Sequence, residues 1–195
     1  MEHKLQIGVM GSWRAELSKE SFELAEDIGR EIAKANCILL TGGSTGVMEH
    51  SMKGCKGANG TTIGIIASSD YRKYEYLGRF IDIKINTGMG ENGRIPILIN
   101  SCDGVIAVGG GVGTLTEVAN AYHQGKPIVV MEGSGQVSDK IKLLLDDEGY
   151  LDSKKLVRIQ FAKKAKEAVV KLIEEINKDE GKDSHSWGPE HAKRA

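Results

Sequence analysis

Two glycine-rich stretches hold the residues best suited to chemistry, and the sharper of them is AVGGGVGTLTE at 107–117. Gly109, Gly110, Gly111 and Gly113 follow an apolar run of strand character, and Thr114 opens a segment of helical period. Successive glycines form a nest of backbone N–H groups, and the dipole of the helix behind them favours an anion. The expected ligand group is therefore a phosphate or ribose phosphate. No Gly-Lys-Ser/Thr occurs, so this is not a Walker loop, and a dinucleotide fingerprint belongs after the first strand. Glu117 has two readings. Thr114-x-x-Glu117 matches a capping box, and the same carboxylate suits catalysis at the ligand.

The second stretch begins TGGSTGVME at 41–49. Gly42, Gly43 and Gly46 let backbone approach a ligand, while Ser44 or Thr45 is placed to cap the following helix. The same glycines also suit a tight strand-to-helix turn with positive φ. A literal GxGxxG, Gly88 to Gly93, follows the fourth strand and has no acidic residue about 20 positions on, so it does not read as a nicotinamide site. It places Asn92 as an N-cap and Arg94 in the first helical turn, with Pro96 early enough to be tolerated. A cation beside a helix N-terminus is unfavourable unless an anion lies nearby. Arg94 is thus a candidate partner for the ligand or for Glu117. Gly11 and Ser12 end the first strand, where Ser12 and Trp13 either meet a base or phosphate or form a plain turn. His50, Cys55 and His123 lack ligand spacing, so no metal site is expected.

These residues need elements to position them. Apolar runs at 5–10, 37–41, 62–67, 80–85, 104–108, 127–131 and 156–160 read as seven strands. Most are continuous, as in a parallel sheet covered on both faces. The fourth is interrupted by Asp82 and Lys84, which suits an edge. Segments at 18–35, 44–56, 92–101, 114–124, 138–146 and 162–177 show helical spacing. The alternation predicts one α/β domain over 1–178, a doubly wound and mostly parallel sheet with helices on both faces. Ligands bind such sheets at the carboxyl ends of strands where the order reverses. Residues 179–195 are polar and aperiodic, and are expected to form a mobile tail.

The 195 residues suit one domain of ordinary size, and 26 basic against 27 acidic side chains leave a net charge of −1. With two Trp, five Tyr and three Phe, the chain has neither the basic surface nor the aromatics of a nucleic-acid binder. Three cysteines without a CxxC read as reduced cytosolic thiols, and no ~20-residue apolar span predicts a membrane helix. The expected setting is cytoplasmic and the expected partner a small phosphorylated ligand. Glycine is in excess, and 16 of the 25 fall in the span from Gly42 to Gly113.

Gly11-Ser12, TGGSTGVME, Arg94 nine positions before Asp103, and GGGVGTLTE together resemble the LONELY GUY family and its wider Rossmann-like superfamily over about residues 4–131. Characterised members of that family are cytokinin riboside 5′-monophosphate phosphoribohydrolases. Its motif is PGGxGTxxE, with an Arg-Lys dipeptide in the preceding helix. By position, Gly110, Gly111, Gly113 and Thr114 match the phosphate loop, Glu117 the catalytic carboxylate and Arg94 the arginine. Gly109 replaces the proline and Ile95 the lysine. The GGG variant looks more like the branch that also contains molybdenum cofactor carrier proteins.

The resemblance implies one of two activities. One is N-glycosidic hydrolysis of a nucleoside 5′-monophosphate to base and ribose 5-phosphate, with Glu117 and Arg94 catalytic. The other is non-catalytic carriage or sensing of a nucleotide or molybdopterin-type ligand. Neither requires a resident cofactor. The lysine decarboxylase label often given to the family has no support, because no Gly-rich loop presents a Lys for pyridoxal phosphate. Family members are commonly homodimers or higher homo-oligomers, with 44–56 and 114–124 as interface helices.

Overall fold

The structure, a computed structural model, describes residues 4–13, 17–69 and 79–180. Seven strands, β1 (Gln6–Gly11), β2 (Ile38–Thr41), β3 (Thr61–Ile66), β4 (Ile83–Asn86), β5 (Gly104–Val108), β6 (Ile128–Met131) and β7 (Ile159–Ala162), form one sheet in the order β4-β3-β2-β1-β5-β6-β7. Every adjacent pair is parallel. This is the expected doubly wound α/β architecture, and the chain reverses its direction of winding between β1 and β5.

Residues alternate between two cores, as the two-residue period of a strand requires. Ile7 and Val9 of β1, with Ile106 and Val108 of β5, pack beneath α1 (Lys19–Lys34), α2 (Val47–Gly57) and α7 (Ala165–Glu180). Met10 of β1, with Val105 and Ala107 of β5, faces α4 (Ile95–Asn100) and α5 (Val112–His123). The central strands are therefore apolar on both faces. β4 is an exposed edge, as its interrupted pattern suggested.

Element boundaries moved where tertiary contacts outweigh apolar pattern. The fourth strand starts at Ile83, not residue 80, because the Asp82 carboxylate turns to accept from Thr62 N–H at 2.9 Å and from Lys56 Nζ at 2.7 Å. The seventh starts at Ile159, and the apolar Leu156 and Val157 belong to the turn before it, where Lys155 adopts φ of 48°. The helix expected at 92–101 is split into α3 (Gly90–Gly93) and α4. Pro96 has no N–H to continue the ladder, so the break falls at Arg94. The segment at 138–146 forms a short α6 (Gln136–Lys140) and a 3-10 turn, Ile141–Leu144. The last helix runs on to Glu180, and the rest of the expected tail lies outside the described residues.

Cys37, Cys55 and Cys102 are buried free thiols. Burial pushes Cys55 up to about 11 and Cys102 to about 12, which keeps both protonated and unreactive near neutral pH. No helix among the described residues is long and apolar enough to cross a membrane.

Candidate functional site

A cleft of about 620 Å3 opens at the carboxyl edge of the sheet, where the loops after β1 and β5 meet at the reversal of strand order. Gly11, Ser12, Ser44, Arg94, Gly110, Gly111, Gly113, Thr114 and Glu117 line it. The positions singled out by residue type thus converge from four separate segments of chain.

The β5 loop does so through its turn. Gly109 and Gly110 take φ of 57° and 85°, and at Gly110 a Cβ would overlap Thr114 Oγ1. Ser134 and Ser138 brace this turn from behind, Ser134 Oγ accepting from Gly109 N–H and Ser138 Oγ donating to the Gly109 carbonyl, each at 2.8 Å. α5 then starts at Val112 with Gly111 as its N-cap and no side-chain cap. Its first-turn N–H groups have no intrahelical acceptor, and they open on the cleft that Val112, Gly113 and Thr114 line.

This start decides against one of the two readings of Glu117. A capping box needs its threonine at the N-cap, whereas Thr114 is already the third residue of the helix, so the box does not form. Glu117 instead sits a turn further along, 8% exposed, on the cleft wall. It makes no hydrogen bond or ion pair among the described residues. Burial pushes its carboxyl up to about 7, against the opposing pull of Arg94.

Arg94 is not in the first turn of one helix, as its position suggested. It is half-buried at the junction of α3 and α4. Its guanidinium donates to the Gly42 carbonyl and, at 3.1 Å, to that of Ile65, so it ties the ends of β2 and β3 to α4. Asn92 lies inside α3 and caps nothing, but it does line the cleft.

Gly42, Gly43, Gly46 and Gly109 stand behind the wall rather than in it. Gly42 makes room for the Arg94 guanidinium, and a Cβ at Gly43 would overlap Ile66. Gly46, with φ of 67°, is the N-cap of α2, and neither Ser44 nor Thr45 caps that helix. Thr45 Oγ1 is drawn away, donating to the Trp13 carbonyl at 2.6 Å.

Sequence reasoning missed the third wall. Gln136, Val137 and Lys140 come from α6, which the Val137 N–H bond to the Gly110 carbonyl, 2.9 Å, docks on the β5 loop. Lys140 is exposed and makes no ion pair among the described residues. The only hint in the sequence was Gly133-Ser-Gly135 after β6, a further strand-to-helix turn. Arg94 and Lys140 therefore offer positive charge to the cleft, beside two helix starts without a side-chain cap, that of α5 and that of α2, whose second residue, Met48, lines the cleft.

Fold and site define a doubly wound α/β domain with a glycine-loop cleft at its switch point. The chain belongs to the SLOG cluster4 family, whose model matches residues 4–175. That is the wider superfamily indicated by the glycine motifs, and it extends past the segment that carried the resemblance. An uncharacterized protein of Archaeoglobus fulgidus is 40% identical over 135 residues, 66% of this chain and 85% of its own length. TM1055, a structural-genomics target, superposes with a TM-score of 0.79 at 29% identity over 88% of this chain and 99% of its own. The molybdenum cofactor carrier protein of Chlamydomonas reinhardtii superposes with a TM-score of 0.69 at 34% identity, over 88% of this chain and 99% of its own.

Proposed function

We propose that this protein binds a phosphorylated ligand of the molybdopterin or nucleotide class in the switch-point cleft and carries it without chemical change. The observation that carries the proposal is the convergence of the uncapped α5 N-terminus, Arg94 and Lys140 on one cleft. Such a set holds a phosphate through charge-assisted hydrogen bonds. Similarity to the carrier protein over nearly the whole of both chains favours cargo over substrate. So does Ile95, which is buried in the cleft wall where the hydrolase pattern has its lysine.

Glu117 favours a second reading, hydrolysis of the N-glycosidic bond. A buried carboxyl raised to about 7 in the same cleft is suited to proton transfer near neutral pH. One experiment separates the two. The purified protein is mixed with molybdenum cofactor released from a donor enzyme, then with nucleoside 5′-monophosphates, and bound pterin and free base are both measured.

Carriage predicts that the cofactor is retained and passed to an apo-molybdoenzyme, with no free base formed. Gly113→Ala tests the site itself. Gly113 lines the cleft with open space around it, so a methyl group fits the helix yet intrudes on the anion position. Its expected effect is at least tenfold weaker binding, with stability equal or higher because Ala is the better helix former. Base release that disappears in Glu117→Ala supports hydrolysis and overturns carriage.

A further inference from the structure

The cleft is roomier than a phosphate alone requires, and its lining includes an apolar set, Trp13, Met48 and Ile95, beside the cationic one. Trp13 is 54% exposed, yet the carbonyls on either side of it, those of Ser12 and of Trp13 itself, are both hydrogen-bonded. The Ser12 carbonyl accepts from Val47 N–H at 3.0 Å, and the Trp13 carbonyl accepts from Thr45 Oγ1 at 2.6 Å. Gly46 packs so closely on the Ser12 carbonyl that a Cβ there would overlap it. An indole in the cleft lining on a fixed backbone offers a large flat face with few rotamers to freeze, which is the property that makes aromatics good contact surfaces. Glu117 adds a buried carboxyl without a hydrogen-bond partner among the described residues, in the same lining. It is suited to accept from the N–H groups or hydroxyls that a ligand carries beyond its phosphate.

We infer that the Trp13 indole is a stacking platform for a planar fused-ring heterocycle, so that the cleft selects phosphorylated heterocycles over phosphosugars. The inference rests on the phosphate anchor proposed above and adds the part of the ligand that gives specificity. A guanine nucleotide and a pterin phosphate share this chemistry. Both present a flat ring with an N–H edge, joined to a phosphate.

The test uses the full chain with Trp187→Phe, which leaves Trp13 as the sole indole. GMP, neopterin phosphate and ribose 5-phosphate are titrated by calorimetry and by indole emission. At least one of the two ring compounds is expected to bind about tenfold tighter than ribose 5-phosphate and to quench Trp13, as stacking on one aromatic ring brings. The tighter of the two identifies the source of the heterocycle. Trp13→Ala should bring that compound within about twofold of ribose 5-phosphate while leaving the sugar phosphate unchanged, and Trp13→Phe should keep most of the preference. Equal binding of all three by the parent, or a preference that survives Trp13→Ala, overturns the stacking role alone. Failure of all three to bind overturns the phosphate anchor and the stacking role together.

Discussion

A Thr114 cap would start α5 at Leu115 and close the Glu117 carboxylate on its own backbone. The helix starts earlier, at Val112 with Gly111 as its N-cap, and Glu117 is turned into the cleft instead. Burial raises this carboxyl from 4.5 to about 7, so the folded state holds a proton that the unfolded chain releases between those values. Stability contributed by the neutral form is accordingly full below about pH 4.5 and falls as pH rises towards 7. The loss is about 3 kcal/mol. Six carboxyls among the described residues lie below their ordinary values, among them Asp82, where burial is outweighed by Lys56 and Thr62, and Glu26, bonded by Lys53. They act at more acidic pH and do not oppose this trend. Glu117→Gln should therefore flatten the urea midpoint between pH 5 and pH 8 and lie above the parent at pH 8. Parallel profiles for parent and variant would contradict the assignment.

At the scale of elements, part of the glycine excess has nothing to do with ligands. α1 and α2 pack backbone to backbone. A Cβ at Gly29 would overlap the Ser51 carbonyl, and one at Gly54 would overlap the Glu26 carbonyl, so each helix supplies a glycine to the other. Gly54→Ala should thus destabilise by about 1–3 kcal/mol through overpacking, outweighing the gain in helix propensity. Urea unfolding measures it, and a midpoint equal to or above that of the parent would contradict the close packing. Ligand affinity should fall as well, because the start of α2 holds the Ser12 carbonyl and places Met48 in the cleft. The split of 92–101 at Arg94 runs against the expectation that Pro96 lies early enough in one helix to be tolerated. The inward path of Arg94 was not legible either, since it depends on carbonyls at the ends of β2 and β3.

Over the whole molecule, the site exists because β1 lies between β2 and β5. Gly8 pairs with Leu40 on one side and with Val105 on the other, so the loops after two strands far apart in the chain emerge side by side. A ligand there joins both halves of the sheet. At 100 times its Kd it should stabilise the fold by about 2.7 kcal/mol. Hydrogen exchange should slow together at the first-turn amides of α5 and of α2. Protection confined to one loop would show that the ligand engages one half alone.

Strand number, the edge character of β4 and the two-sided burial of the central strands were all legible, because each depends on local periodicity and the physics of hydration. The glycine loops, Glu117 and Arg94 were legible as candidates from residue type and spacing. Lys140, the inward path of Arg94, and the choice between cap and cleft for Glu117 were not. Each depends on contacts between segments far apart in the chain, where a carbonyl end, a packed helix or an open cleft competes with the local preference and wins. Only the tertiary structure brings those competitors together.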